Sequence, residues 1–150
     1  MKRAIELSRI HMHNGEGGPF GAVIVKDGQI IGEGWNQVTS TNDPTAHAEV
    51  VAIRNACREL KTFDLSGAEL YTSCEPCPMC LAATYWARIS RIYFGNTRED
   101  AARIEFDDDF IYTEIPKKRE ERKIPMQQMM REEALEVFKE WESKTDKVQY

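Results

Sequence analysis

His47-Ala48-Glu49 precedes Pro76-Cys77-Pro78-Met79-Cys80, with His47 and Cys77 30 positions apart. One imidazole and two thiolates are ligands of the kind zinc takes. A structural zinc is usually closed by four protein ligands, whereas a hydrolytic one keeps a tetrahedral position open for water. His47, Cys77 and Cys80 leave that position open. Zinc held by a neutral imidazole and two thiolates carries little net charge, so a base beside it is needed to take the water's proton. Glu49, two residues past the histidine, is placed to be that base. The pattern therefore points to hydrolysis with one zinc ion per subunit.

Two competing uses of the same cysteines are weaker. Cys74-x-x-Cys77-x-x-Cys80 could form a zinc knuckle closed by His47, but that assignment leaves Glu49 without a task. Cys74, at a strand end just before the ligand loop, is expected to support the loop rather than to ligate. A disulfide framework is disfavoured because four cysteines in 150 residues are sparse and no secretory signal is expected. Cys57 reads as a buried core thiol. His11 and His13, on no motif, are expected to face solvent.

The elements that must position these groups follow from the flanking residues. Asn42-Asp43-Pro44-Thr45 is turn and capping chemistry, and Val50, Val51, Ile53, Ala56, Cys57 and Leu60 recur at helical spacing. That places His47 and Glu49 in a helix's first turn. Pro78 suits a first helical position, and Leu81, Ala82, Tyr85 and Trp86 carry a second helix whose first turn holds the cysteine pair. Two helix N-termini aimed at one metal put their positive dipole ends beside thiolates and a carboxylate, which helps keep them ionised.

Residues 2–12 are helix-like and 14–19 form a loop. Residues 20–26 and 29–35, separated by Asp27-Gly28, read as a β-hairpin. Residues 68–72 and 91–95 read as buried strands, and 131–142 as an amphipathic helix through Ala134, Leu135, Phe138 and Trp141. The charge-rich stretch 96–130 has no assignable pattern. A β-β-α-β-α-β order behind an N-terminal helix predicts an α/β domain: a mixed five-stranded sheet with helices on both faces, three layers in all.

No repeat, linker or low-complexity tract interrupts the 150 residues, so a single domain over 1–150 is expected. With 41% hydrophobic and 30% charged residues the composition is that of an ordinary soluble protein. No apolar run is long enough to span a membrane. Reduced thiols for zinc imply the cytoplasm. The net charge of −5 points away from a protein that holds long nucleic acids.

The pairing of H-x-E with P-C-x-x-C is a documented mark of zinc deaminases that act on nucleobases, and this chain matches every specified position. The likeness reaches further, through Gly17-Gly18-Pro19-Phe20-Gly21-Ala22, Asn42-Asp43-Pro44-Thr45-Ala46-His47-Ala48-Glu49, Tyr71-Thr72-Ser73-Cys74-Glu75-Pro76-Cys77, Tyr85-Trp86-Ala87-Arg88 and Phe106-Asp107-Asp108. On these residues the chain resembles the cytidine deaminase superfamily and, within it, the small bacterial guanine deaminases. Tyr85-Trp86-Ala87-Arg88, the Phe-Asp-Asp run and the terminal Tyr150 are what favour the guanine branch.

The resemblance implies a three-layer α-β-α cytidine deaminase-like fold and hydrolysis of guanine to xanthine and ammonia. His47, Cys77 and Cys80 would hold zinc, and Glu49 would carry protons from water to the ring and the leaving amine. Asn36 would use an amide donor and acceptor on the purine edge. Phe20 and Trp86 would stack on the base. Asp108 would accept from the ring N–H or the amino group, although read alone Asp107-Asp108-Asp109 is a solvated acidic run. Tyr150 would close the pocket. The branch further implies a homodimer whose segment from about residue 125 to 150 can exchange between protomers. A guanosine or other nucleoside deaminase, a tRNA adenosine deaminase and a non-catalytic zinc-binding subunit share much of the pattern.

Overall fold

The first 110 residues alternate helix and strand because their apolar residues switch between helical and two-residue spacing. In the computed structural model, which describes residues 1–106 and 108–150, the order is α1 (Lys2–His13), β1 (Gly21–Lys26), β2 (Gln29–Trp35), α2 (Val38–Thr41), α3 (Ala48–Leu60), β3 (Glu69–Cys74), α4 (Pro78–Trp86) and β4 (Arg91–Asn96). Then come α5 (Arg98–Ala102), α6 (Asp109–Glu114), a 3-10 turn over Arg119–Glu121, and α7 (Arg131–Ser143). Asp107 of the Phe-Asp-Asp run lies outside the described residues.

The sheet order is β2-β1-β3-β4, antiparallel except for the parallel β3–β4 pair joined through α4. Asp27 and Gly28 both take positive φ, 51° and 77°, as the tight turn of the β1–β2 hairpin requires. Strand alternation sorts the side chains into layers. Ala22, Ile24 and Leu70 face α3 and pack with Ala48, Ala52, Ile53 and Ala56. The opposite face of β1 meets α1, where Gly21 lies against Ala4, Leu7 and Ser8. The α-β-α layering is therefore as expected.

The number of strands is not. Four strands are present among the described residues, where five were expected. After β4, Thr97 and Asp100 form a capping box that turns the chain straight into α5. The charge-rich stretch that follows offers no alternating apolar run to build a fifth strand.

The seam between β2 and α3 sets the position of the chemistry. A methyl group on Gly34 would lie 2.2 Å from the Ala48 carbonyl oxygen, and one on Gly32 2.5 Å from that of Ala52. Backbone thus packs on backbone, and α3 is held tight against the hairpin by residues flanking His47 and Glu49.

Residues 1–110 form one compact unit and residues 111–150 a second. The first holds the core. In the second, the Glu114 carboxylate accepts from the Lys123 amide and the Arg122 guanidinium donates to the carbonyls of Lys117 and Ile115. None of its residues is buried, and α7 leaves Val137 and Phe138 exposed.

Candidate active site

The metal-ligating residues sit at helix starts, one step earlier than the spacing predicted for two of them. His47 is the N-cap of α3 and Cys77 the N-cap of α4, both in extended conformation, with Pro78 at the first helical position. The carbonyl of His47 accepts from the Val51 amide at 2.9 Å, and that of Cys77 from Leu81 at 2.8 Å. Cys80 and Glu49 lie inside the first turns.

His47 Nδ1 is 3.6 Å from Cys77 Sγ and 3.5 Å from Cys80 Sγ, and all three ligand atoms lie within 4.8 Å of one another. Zinc bonds of about 2.05 Å to nitrogen and 2.3 Å to sulfur at the tetrahedral angle give an N···S edge of about 3.6 Å. The donor set and its spacing fit zinc. Cys80 is buried while His47 and Cys77 are half-buried, so the cluster is closed on one side and approachable on the other. Cys74 directs its thiol to the Thr97 carbonyl at 3.6 Å, and among the described residues the metal-holding group comprises His47, Cys77 and Cys80 without it. All four cysteines are free thiols. Cys57 is half-buried against the core, which holds its thiol above the ordinary value.

Electrostatics favour ionisation of one thiol of the pair, Cys77. The hydrogen bond from Cys80, followed by His47 against the opposing effect of burial, holds the Cys77 thiol down at about 4, while the same Cys80–Cys77 pairing and burial push Cys80 upward. Glu49 is 6% exposed, and burial raises its carboxyl above the ordinary carboxylate range. Thr72 Oγ1, on the inward face of β3, donates to Glu49 Oε1 at 3.3 Å. Thr72 was not singled out from sequence, although it lies two residues before Cys74 on the alternating face.

Asn36, just past β2, is buried. Its Oδ1 accepts from the amides of Gly18 at 3.2 Å and Val38 at 3.3 Å. Two backbone donors fix which end of the carboxamide is oxygen. Backbone donors thus occupy the acceptor end of the amide, and the Nδ2 hydrogens are what Asn36 has left to offer. The next residue, Gln37, bonds through its amide to the Ala46 carbonyl at 2.9 Å, which sets Asn36 beside the start of α3.

Phe20 is half-buried and meets Phe106 edge to face at a centroid distance of 4.9 Å. Asp108 is half-buried, and its charge helps raise the pKa of His47, after the hydrogen bond with Cys77, and of Cys74, after burial. Asp108 is therefore within electrostatic reach of His47 and Cys74. Trp86 ends α4 with its side chain largely exposed, and Tyr150 is exposed in the 111–150 unit. His13 is exposed as expected, but His11 is not: it stacks on Trp35 at 3.6 Å and bonds to Glu16.

The site thus forms where the ends of β2 and β3 meet the starts of α3 and α4, outside the carboxyl ends of strands as α/β sheets commonly arrange. Residues 1–96 match the model of the cytidine and deoxycytidylate deaminase zinc-binding region. The chain is 54% identical to guanine deaminase of Bacillus subtilis (strain 168) over 150 residues, all of this chain and 96% of that one. It superposes on the crystal structure of that enzyme with a TM-score of 0.96 over 99% of this chain and 95% of the other. It is 42% identical to a tRNA-specific adenosine deaminase of Buchnera aphidicola over 106 residues, 71% of this chain and 70% of that one. A structure of guanine deaminase from Nitrosomonas europaea matches at 33% identity with a TM-score of 0.68, over 71% of this chain and 62% of that one.

Proposed function

The chain belongs to the cytidine and deoxycytidylate deaminase zinc-binding family, and from that premise we propose that it is a zinc-dependent hydrolase that deaminates guanine to xanthine and ammonia. The observation that carries this reading is the reach of the likeness. The match to a guanine deaminase runs over all 150 residues, whereas the match to a tRNA-specific adenosine deaminase spans 106.

His47 Nδ1 and the thiolates of Cys77 and Cys80 hold the metal. When bound there, zinc makes water acidic enough to serve as a nucleophile near neutral pH. Glu49 takes a proton from the attacking water and gives it to a ring nitrogen beside the amino-bearing carbon. A second transfer to the departing amine lets the C–N bond break as the C=O bond forms, so water supplies the oxygen, one of its protons stays on the ring nitrogen and the other leaves with ammonia. Burial suits Glu49 to this task, because a carboxyl with raised proton affinity both accepts and returns a proton.

The base is held by groups around this centre. Asn36 Nδ2 donates to an acceptor on the purine edge. Asp108 accepts from the ring N–H or amino group, a pairing that adenine or hypoxanthine cannot satisfy in full. Phe20 and Trp86 wall the flat ring, stacking being worth about 1–3 kcal/mol per base. Tyr150 closes the pocket.

We place residues 1–150 in one functional domain of a homodimer, with the segment from about residue 125 exchanged between protomers. What supports this is the second unit itself: α7 is a 13-residue helix with no buried residue, and Ile124, Met129 and Phe138 are exposed. Isolated helices of that length are marginal in water and need an apolar partner. The free thiols that ligation requires support a cytoplasmic location. No helix among the described residues is long and apolar enough to cross a membrane.

The test is ammonia release by zinc-loaded protein offered guanine, guanosine, cytidine, adenine and a tRNA anticodon stem-loop in parallel. Release from guanine supports the reading. Release from the RNA, with guanine untouched, replaces it with tRNA adenosine deamination.

A further inference from the structure

The loop between α1 and β1 brings Gly17 and Gly18 against Asn36, and one carboxylate ties that loop down. Glu16 Oε1 bonds His11 Nδ1 at 2.8 Å and accepts from Asn14 Nδ2 at 3.2 Å, while Oε2 accepts from Trp35 Nε1 at 2.9 Å. His11 and Trp35 stack with centroids 3.6 Å apart and planes inclined by 4°. The Glu16 carbonyl also accepts from Thr39 Oγ1 at 3.4 Å, and its amide donates to the His11 carbonyl at 3.0 Å. Glu16 thus joins the end of α1, the end of β2 and α2. His11 first, then Asn14, hold its carboxyl below the ordinary value.

We infer that Glu16 is a positioning residue for the base-binding pocket, acting through His11 and Trp35 to fix the carboxamide of Asn36. The inference rests on the reading above that Asn36 contacts the purine. The chain of contacts is short. Trp35 is the residue before Asn36, and Gly17 and Gly18 follow Glu16 directly. Gly18 N–H is one of the two donors that hold Asn36 Oδ1. A methyl group on Gly17 would lie 2.0 Å from the Asn36 carbonyl oxygen and 2.6 Å from Oδ1, so loop and side chain share one fixed geometry. If Glu16 lets the loop go, the Gly18 donor is lost and the carboxamide rotates. A rotated Asn36 presents oxygen where the purine edge needs a hydrogen.

The experiment uses the zinc-loaded Glu49→Ala chain, which is expected to bind without turnover, titrated calorimetrically with guanine. Adding Glu16→Ala is expected to weaken guanine by about 10-fold, the worth of one well-placed hydrogen bond, with zinc content unchanged. Glu16→Gln, which keeps an acceptor for Trp35, is expected to recover most of the loss. Trp35→Phe, which keeps the stack and removes one N–H, is expected to fall between. In the same samples, amide exchange at Gly18 and Val38, read by NMR, should quicken in Glu16→Ala. Unchanged guanine affinity in both Glu16→Ala and Trp35→Phe overturns the inference. So does a loss of affinity that Glu16→Gln does not relieve while exchange at Gly18 stays slow. If the Glu49→Ala parent binds no guanine, the substrate reading fails, and exchange at Gly18 and Val38 alone decides the clamp: faster in Glu16→Ala supports it, unchanged refutes it.

Discussion

Replacing Gly34 with alanine tests whether the chemistry is positioned by the β2–α3 seam. The added methyl would stand 2.2 Å from the Ala48 carbonyl oxygen and 2.5 Å from the Ala52 amide nitrogen, both backbone atoms. Ordinary contact begins at about 3.5 Å, so α3 must retreat by roughly 1 Å at its first turn. Ala48 lies between His47 and Glu49, and both move with it. Overpacking of this kind costs about 1–3 kcal/mol, a fall in Tm of roughly 3–9 °C for a chain this long. A 1 Å misplacement of catalytic groups costs on the order of 100-fold in rate. Gly34→Ala should therefore lose far more deamination than its stability loss explains. Gly28→Ala is the control: its methyl would meet nothing within 4 Å, but φ is +77°, so it strains the hairpin turn far from the site. Both variants would be measured for Tm, zinc content and kcat/KM on guanine at a temperature where each is folded. Equal activity in the two, at whatever stability, would refute the claim that the seam aligns His47 and Glu49.

Glu49→Gln keeps the side chain's shape and should lower kcat by about 100-fold or more, as loss of a general base does, with zinc content by elemental analysis unchanged; full activity would remove Glu49 from the mechanism. Cys74→Ser should retain one zinc per chain and Cys77→Ser should lose it, because Cys74 faces Thr97 and lies outside the ligand cluster; the reverse pattern in metal analysis would restore the knuckle. Arg3 holds Glu33 by hydrogen bonds of 2.7 and 2.8 Å and lowers its carboxyl. A depressed folded pKa gives stability that is present above the ordinary carboxylate value and lost as pH falls through the lowered one. The pair is about a third exposed, so its contribution is under about 1 kcal/mol. Urea melts of the native chain and Arg3→Ala should differ by that amount at pH 7 and converge in acid; a difference that grows toward acid would contradict the assignment.

How far sequence carried the structure can be seen at particular residues. The strand at 29–35 and the Asp27-Gly28 turn were legible because alternation and a left-handed turn signal are local. The metal cluster was legible because ligand chemistry is scarce: few residue types bind zinc, and the spacing left no other set with a base beside it. α2, α5 and α6 escaped because helices of 4–6 residues are too short to show a 3.6-residue period. Thr97 and Asp100 did carry a capping signal, buried in a charged run. His11 was misjudged because its partner, Trp35, belongs to another element, β2, and nothing local announces a stack formed by tertiary packing. The use of Asn36's oxygen was hidden for the same reason, since its donors belong to the backbone of Gly18 and Val38.

His47 and Cys77 are each both a metal ligand and the first acceptor of a helix, through Val51 and Leu81. The backbone of each ligand is thus fixed by its helix, and unwinding the opening turn would displace the ligand side chain with it. Fraying of these two helix ends, ordinarily the first parts of a helix to open, is thereby a route by which a bound metal would be released. Proton exchange at the Val51 and Leu81 amides should then keep time with metal exchange, two clocks reading one motion.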